Sequence, residues 1–487
     1  MLFEPLFAHA DRQPQQTAII DDSGRYTYQQ LAAMAAGLGM YLSMQTERPR
    51  VGILLPASAG FVASFYGTLL AGKAAVPINF LLGDREIAHI IKDSDIDTVV
   101  TIPQLAGRLK DSPLNVIDLT QLPKVPPAAI TPRFPEVSAD DVAVLLYTSG
   151  TSGLPKGVLL TFGNLQSDAD LAISTVHLQS QHVFLGVIPL FHSFGILAMM
   201  IAPLQLGATV VYLARFSPVG TIKAIREHKA SLMFGTPSMF GAILRLKDAS
   251  ADDFKQMYAL ISGAEPLPAT LREAFKQRFN TPILEGYGLS ETSPAVSLNT
   301  PHVQKAGSVG KPLPSVHVKI TDDDGKALPT GQIGEIWLKG PMIMKGYHNL
   351  PEETSNVLTA DGYFKTGDLG RMDEDGFLHI TGRKKEMIIV AGEKAFPREI
   401  EDVLLRHPTV AEAAVVGKKD PGRGEVVVAF VVPREGQTPK PDELRDFSRQ
   451  QGLAQWKVPR EIYVEKEFPR NPTGKVLKRE LAAKLTA

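Results

Sequence analysis

Apolar strand-like runs that alternate with helical patterns, a change to short turn-separated strands past Pro312, and a compact final stretch together predict an α/β protein of at least two domains. Val51-Gly52-Ile53-Leu54-Leu55, then a helix over Phe61 to Leu70, then Ala74-Ala75-Val76-Pro77-Ile78 shows the alternation, which implies stacked layers with mostly parallel sheets. At 487 residues the chain is too long for one simple core.

In chain order, Val142-Ala143-Val144-Leu145-Leu146 reads as a buried strand and Val158-Leu159-Leu160-Thr161 as a second strand rather than a helix start. Between them, Tyr147-Thr148-Ser149-Gly150-Thr151-Ser152-Gly153-Leu154-Pro155-Lys156-Gly157 gathers hydroxyls, glycines and a lysine. Gly150, Gly153 and Gly157 would let the backbone take positive φ and aim N–H groups at an anion, with Lys156 as a compact positive charge. The strand after the loop, and Gly157 where a Walker motif needs Ser or Thr, exclude a P-loop NTPase. A surface hairpin is the alternative. The apolar region Val183 to Leu206 contains Pro189, His192, Ser193, Pro203 and Gln205, which favours a buried strand and helix over a membrane span.

From about Pro312 to Lys339, strands such as Val316 to Ile320 and Ile333 to Leu338, set off by Gly and Asp turns, predict a small β subdomain. After Arg383-Lys384-Lys385 a final unit of about a hundred residues has the size of a domain. It reads as strand Met387 to Val390, helix Pro397 to Leu405, strands Ala413 to Val416 and Val426 to Val432, helix Pro441 to Gln451 and strand Glu461 to Val464.

A hydrophobic fraction of 44% and a charged fraction of 21% are those of a globular protein, and a net charge of −1 offers no general attraction to nucleic acid or anionic membrane. Zero cysteines exclude disulfides, cysteine-ligated zinc and a cysteine acyl-enzyme, so a thioester would need a thiol from outside. The start, Met1 to Phe7, lacks a basic segment followed by a long apolar one; no signal peptide and a cytoplasmic location are expected.

Three further motifs carry chemistry. Ile283-Leu284-Glu285-Gly286-Tyr287-Gly288-Leu289-Ser290-Glu291-Thr292 sets an aromatic face, a hydroxyl and a carboxylate close together, fit to stack a purine and hold a divalent cation. Tyr363-Phe364-Lys365-Thr366-Gly367-Asp368-Leu369-Gly370, with Gly382-Arg383-Lys384-Lys385-Glu386 beyond it, offers Asp368 and Arg383 to a ribose diol. Pro469-Arg470-Asn471-Pro472-Thr473-Gly474-Lys475 places a lysine on a Pro and Gly turn. Taken singly, each has a plainer reading: Tyr287 as packing, Asp368 as a turn residue, Lys384-Lys385 as a solvated turn, Lys475 as a surface charge.

In this order, the motifs resemble the adenylate-forming superfamily of acyl-CoA synthetases, luciferases and peptide-synthetase adenylation domains, from Arg25-Tyr26-Thr27-Tyr28-Gln29-Gln30-Leu31 to Lys475. Pro189-Leu190-Phe191-His192-Ser193-Phe194-Gly195 and Ile261-Ser262-Gly263-Ala264-Glu265-Pro266-Leu267 look most like fatty acyl-CoA synthetases and bacterial acyl-carrier-protein ligases. The resemblance implies a large domain over residues 1–382 and a mobile C-terminal lid over residues 383–487, with Lys385 at the hinge. It implies that ATP and a carboxylate give acyl-adenylate and pyrophosphate, and that a thiol then displaces AMP.

On the same grounds Thr148, Ser149, Gly150, Thr151, Ser152, Gly153 and Lys156 would hold the β- and γ-phosphates, and Glu291 would bind Mg²⁺. Ser290, where the family usually has Thr, would meet the α-phosphate. Tyr287 with Gly263, Ala264 and Glu265 would border the adenine, Gly286 and Gly288 would belong to the same nucleotide site, and Asp368 and Arg383 would hold the ribose. Lys475 would bridge carboxylate and α-phosphate, and rotation of the lid would bring Gly392 to a pantetheine arm. His192 would gate between nucleotide and acyl group. Phe191, Phe194, Phe234 and Gly235 would line an apolar acyl pocket, with Ser193 where amino-acid-activating relatives carry Asp. The expected substrate is a medium- to long-chain fatty acid and the expected acceptor CoA, which Lys394, Lys418, Lys419 and Arg423 could meet. Transfer to an acyl-carrier protein and an inactive acyl or nucleotide sensor are the alternatives. Peripheral membrane contact stays open.

Overall fold

In the computed structural model, which describes residues 1–110, 112–122, 133–148, 154–470 and 476–485, the apolar runs become strands of two large, mostly parallel sheets. The first orders Lys311–Pro312, Ala295–Leu298, Ile283–Gly288, Ala259–Ser262, Leu232–Gly235, Val183–Gly186, Thr209–Tyr212, Thr17–Asp21 and Gly24–Thr27. Its six central strands are parallel and its edges antiparallel. The second orders Gly346–Tyr347, Lys156–Thr161, Val142–Thr148, Ala74–Pro77, Arg50–Leu54, Thr98–Thr101 and Asn115–Asp118.

Helices Tyr28–Gln45, Ala59–Leu70 and Phe162–Val176 share one core with both sheets, through residues such as Leu38, Phe65 and Leu165 on the helices and Ile19, Phe184, Ile53 and Val144 on the strands. Ala59–Leu70 is apolar nearly all round and ten of its twelve residues are buried, as a helix inside such a core must be. The region Val183 to Leu206 forms the strand Val183–Gly186, a helical turn Ser193–Ile196, a π-helical turn Leu197–Ile201 and the helix Ala202–Leu206, as its prolines and polar residues foretold. Among the described residues no helix is long and apolar enough to cross a membrane.

The β subdomain is larger than its composition suggested. His317–Thr321, Gly334–Lys339, Phe364–Met372 and Leu378–Arg383 form one antiparallel sheet, whose last two strands are the segments read above as ribose-binding motifs. Beyond them a smaller α/β unit has its own sheet, Glu393–Ala395, Ile388–Val390, Gly424–Pro433 and Val410–Asp420, with Glu461–Val464 parallel to Gly424–Pro433. Helices Pro397–Leu404 and Pro441–Gln450 close its core through Ile400, Leu404 and Leu444, packed with Ile388, Val415 and Val427. A separate core marks this unit as a second, smaller domain.

Candidate functional site

Thr148 and Lys156 face each other across the antiparallel pair Val142–Thr148 and Lys156–Thr161, at the mouth of the glycine-rich loop. Ser149, Gly150, Thr151, Ser152 and Gly153 lie outside the described residues, as does Lys475. Gly157 takes extended strand geometry, not the positive φ expected of it. Glycine is needed there for closeness: a Cβ would stand 2.7 Å from Leu145 Cδ1 and 3.2 Å from His348 Cβ.

The short strand Gly346–Tyr347 adds to the same hairpin and carries a residue that sequence reading missed. Tyr347 lies under Lys156, whose Nζ is 5.7 Å from the ring centroid, and its hydroxyl donates to Glu291 Oε1 at 2.9 Å. Lys156 Nζ also meets Glu353 Oε2 at 2.8 Å, in a pair whose side chains are 29% and 48% exposed. Tyr347 and Glu353 belong to no motif, so only the fold could reveal them.

Glu291 sits in the turn Ser290–Thr292, which folds back on the chain because Leu289 N–H donates to Pro294 O at 3.1 Å. Gly288 permits this approach, since a Cβ there would lie 1.9 Å from Pro294 O. Behind the turn, Ala295 N–H donates to Asp168 Oδ2 at 2.9 Å, and complete burial pushes the Asp168 carboxyl well above the usual range. Ser290 Oγ lies 3.3 Å from Ser193 Oγ, which joins this loop to the Phe191-His192-Ser193-Phe194 segment.

There, His192 stands edge-on to Phe191, with ring centroids 4.9 Å apart. Its Nε2 is buried without a hydrogen-bond partner among the described residues, and burial lowers its pKa to about 4, so the ring is neutral at pH 7. Phe194 packs edge-on against Phe234 at 5.9 Å. Gly235 does not share that face. The period of two in a strand turns its missing side chain toward Phe240, 3.2 Å from a built Cβ, and Met233, both in another core cluster, so Gly235 would border the Phe194 side by its backbone alone.

On the other side of the turn, Tyr287 donates to Asp368 Oδ2 at 2.6 Å while Arg383 Nε reaches Asp368 Oδ1 at 3.0 Å. Asp368 and Arg383 are register partners on adjacent strands, which explains how residues fifteen positions apart in sequence meet. Burial, reinforced by the Asp368 carboxylate, keeps the Tyr287 phenol protonated well above its usual value. Gly263 and Glu265 lie at the end of the neighbouring strand, and Ala264 between them holds a left-handed φ of 68°, a strained choice for a residue with a Cβ. Gly286 lies directly beside Tyr287.

Lys385 is exposed in the turn Lys384–Glu386, whose Lys384 is not merely solvated: it meets Asp323 at 3.0 Å and Glu335 at 3.1 Å. Gly392 (φ 89°) and its neighbours Ala391, Glu393 and Lys394 are exposed. Of the cations offered to an acceptor, Lys418 is engaged by both oxygens of Glu461, at 2.9 and 3.0 Å, while Lys419 and Arg423 are exposed.

Pairwise contacts therefore link Lys156 to Tyr347, Tyr347 to Glu291, and Ser290 beside it to Ser193 of the aromatic, uncharged segment, while Tyr287, Asp368 and Arg383 form a second polar cluster. Among the described residues no group of three or more His, Cys, Asp or Glu could hold a metal by itself. A lone carboxylate such as Glu291 fits a hard cation that takes its other ligands from phosphate and water.

The AMP-binding enzyme family matches residues 6–348, and the AMP-binding enzyme C-terminal domain matches residues 399–475. A long-chain-fatty-acid–CoA ligase of Bacillus subtilis (strain 168) is 33% identical over 97% of this chain and 92% of its own. A feruloyl-CoA synthase of an Amycolatopsis species is 34% identical over 96% of both chains. The solved o-succinylbenzoate coenzyme A synthetase of Bacillus subtilis in complex with ATP and magnesium ion superposes with a TM-score of 0.87 at 30% identity, covering 98% of each chain.

Proposed function

The chain belongs to the AMP-binding enzyme family of the adenylate-forming superfamily, and we propose that it is a ligase that activates an aliphatic, fatty carboxylic acid with ATP and transfers the acyl group to CoA. An AMP-forming CoA ligase is what its relatives have in common; the fatty substrate is the finer step. The observation that carries the proposal is the 3.3 Å approach of Ser193 and Ser290, which sets an apolar, uncharged segment directly against the polar turn that would meet the nucleotide's phosphates.

In the first half-reaction a carboxylate oxygen of the acid bonds to the α-phosphorus of ATP, and the bond to pyrophosphate breaks with its electron pair leaving on pyrophosphate. Two anions must meet, so positioning and fixed positive charge lower the barrier most. Lys156 is suited to the terminal phosphates. Its partly exposed pair with Glu353 is worth at most about 1 kcal/mol, which a polyphosphate can outcompete. Ser290 would hold the α-phosphate and Lys475 would bridge both anions. Asp368, oriented by Tyr287 and Arg383, has the acceptor chemistry for a ribose diol. Mg²⁺ at Glu291 would supply further neutralisation of phosphate charge. In the second half-reaction the CoA sulfur, having lost its proton, bonds to the acyl carbon and AMP leaves.

The neutral His192 and the hydroxyl of Ser193 offer no counter-charge to a substrate ammonium, which supports a fatty acid over an amino acid. A second reading, an aryl acid, is favoured by the feruloyl-CoA synthase that matches nearly the whole chain. Pyrophosphate release with CoA across a ladder of fatty acids and a set of cinnamic acids tests both. Acyl-CoA formed from fatty acids supports the first reading, turnover only with cinnamic acids moves the chain to the second, and failure to release pyrophosphate with any acid overturns the ligase itself.

A further inference from the structure

One side chain of the smaller domain reaches two strands of the larger. Arg398, near the start of the helix Pro397–Leu404, donates through Nη1 to Ile380 O at 2.9 Å on the strand Leu378–Arg383. Its Nη2 lies 3.6 Å from Glu285 Oε1. Glu285 stands two residues before Tyr287 on the strand Ile283–Gly288, only 6% exposed. The same Oε1 accepts from Leu267 N–H at 3.2 Å, so it closes the Gly263-Ala264-Glu265 loop onto that strand, and the Glu285 carbonyl accepts from Asn299 Nδ2 at 3.0 Å. Other charged groups near the pair are Arg272 and Asp402. Burial pushes the Glu285 carboxyl upward, and Arg398 opposes it most, with the Leu267 N–H and Arg272 adding to that opposition.

We propose that Arg398 is a positioning residue that fastens the smaller domain to the adenine side of the larger one, so that the Gly263 to Leu267 loop and the Tyr287 strand hold their nucleotide-binding arrangement only while the smaller domain keeps the orientation seen here. The inference rests on the ligase reading, in which the lid must rotate between half-reactions. Rotation carries Arg398 away from Glu285 and Ile380 together and leaves the buried carboxylate without its strongest charged partner, Arg272 alone remaining near it, which loosens the loop that would grip AMP. Domain movement and nucleotide release are thereby coupled through one ion pair.

The test compares wild type, R398M, E285Q and the R398M/E285Q pair. Loss of a charge-assisted bond predicts AMP affinity about tenfold weaker in R398M. The pair should return to within about threefold of wild type, since Gln still accepts from Leu267 N–H and needs no cation. Domain orientation is read separately, with a dye pair on cysteines introduced at the exposed Met44 and Val464 of a chain that has no cysteine of its own. With AMP bound, E285Q and the pair should both spend less time in the wild-type arrangement. Unchanged AMP affinity in R398M, or a pair that stays weak while unfolding at the wild-type temperature, overturns the proposal. Should R398M fail to fold, an unaltered dye distribution in E285Q overturns it equally. A chain that releases no pyrophosphate with any acid defeats the ligase reading and leaves the dye distribution to judge the latch alone.

Discussion

Asp368 has both carboxylate oxygens occupied on the protein side, one by Tyr287 and one by Arg383, and is buried. Such a group is oriented before any ligand arrives, which is what a ribose diol needs from its acceptor. A hydrogen bond to a charged acceptor contributes about 1.5–3 kcal/mol, so Tyr287→Phe should raise the KM for ATP roughly tenfold and leave kcat nearly intact. Steady-state kinetics over ATP would check this; an unmoved KM would mean that Arg383 alone orients the carboxylate. His192 makes a different prediction, in stability. Its folded pKa is about 4 against an ordinary value of 6.5, because burial penalises the cation. Between those values the unfolded chain binds a proton that the folded one refuses. Stability is therefore complete above pH 6.5 and falls as the pH drops through the window, by roughly 3 kcal/mol at its lower limit. His192→Gln has no such proton to take up, so its urea midpoint should fall less than that of wild type between pH 7.5 and 5. Parallel declines would show that His192 is not held neutral.

The turn Ser290–Thr292 is the element on which both sides of the site converge, and its shape depends on one missing side chain. In Gly288→Ala the new Cβ would lie 1.9 Å from Pro294 O, a backbone atom that cannot swing away. The turn must move outward, and Ser290 with it from Ser193, and Glu291 from Tyr347. Overpacking of this kind costs about 1–3 kcal/mol of stability, and a displacement of about 1 Å at reacting groups costs about a hundredfold in rate. Pyrophosphate release should accordingly fall about a hundredfold while the protein still unfolds cooperatively; unimpaired release would detach the turn from the chemistry. Elements of this kind were unequally legible beforehand. Val142–Thr148 and Lys156–Thr161 could be read as a strand pair because their apolar runs are uninterrupted, and the helices Pro397–Leu404 and Pro441–Gln450 because each opens with proline and keeps one apolar face. Phe364–Met372 and Leu378–Arg383 do not read as strands from their sequence. Their Gly, Thr and Asp residues suggest turns, and their stability comes from cross-strand pairing that no local pattern displays. The same gap hid Tyr347, which reaches Glu291 across 56 residues, and Glu285, whose partner Arg398 lies in another domain. Conversely, Gly157 was recognised as necessary for the wrong reason, since steric closeness and positive φ look alike in a sequence.

At the scale of the molecule, two domains have separate cores, and the polar contacts between them among the described residues include Lys384 to Asp323 and Glu335 and Arg398 to Glu285 and Ile380. Contacts of this kind resemble a transient interface more than a shared core, which permits the smaller domain to turn as a body. If it does, the two half-reactions should fail separately. Gly392 supplies the sharper probe, because it is exposed, at φ 89°, and a Cβ built there meets no atom within 4 Å. Gly392→Leu therefore adds only the strain of a left-handed residue, about 1–2 kcal/mol, in the orientation seen here. Acid-dependent exchange of pyrophosphate into ATP should stay within about threefold of wild type, and CoA thioester formation from supplied acyl-adenylate should fall at least about tenfold if, as proposed, rotation brings Gly392 to the pantetheine arm and the leucine obstructs it. Lys475→Ala should give the mirror image, with exchange lost and thioester formation from acyl-adenylate retained. Both variants measured in both half-reactions distinguish the hypotheses: opposite losses require two orientations of one lid, whereas equal losses in each variant would mean that a single arrangement serves both steps and that the smaller domain does not alternate.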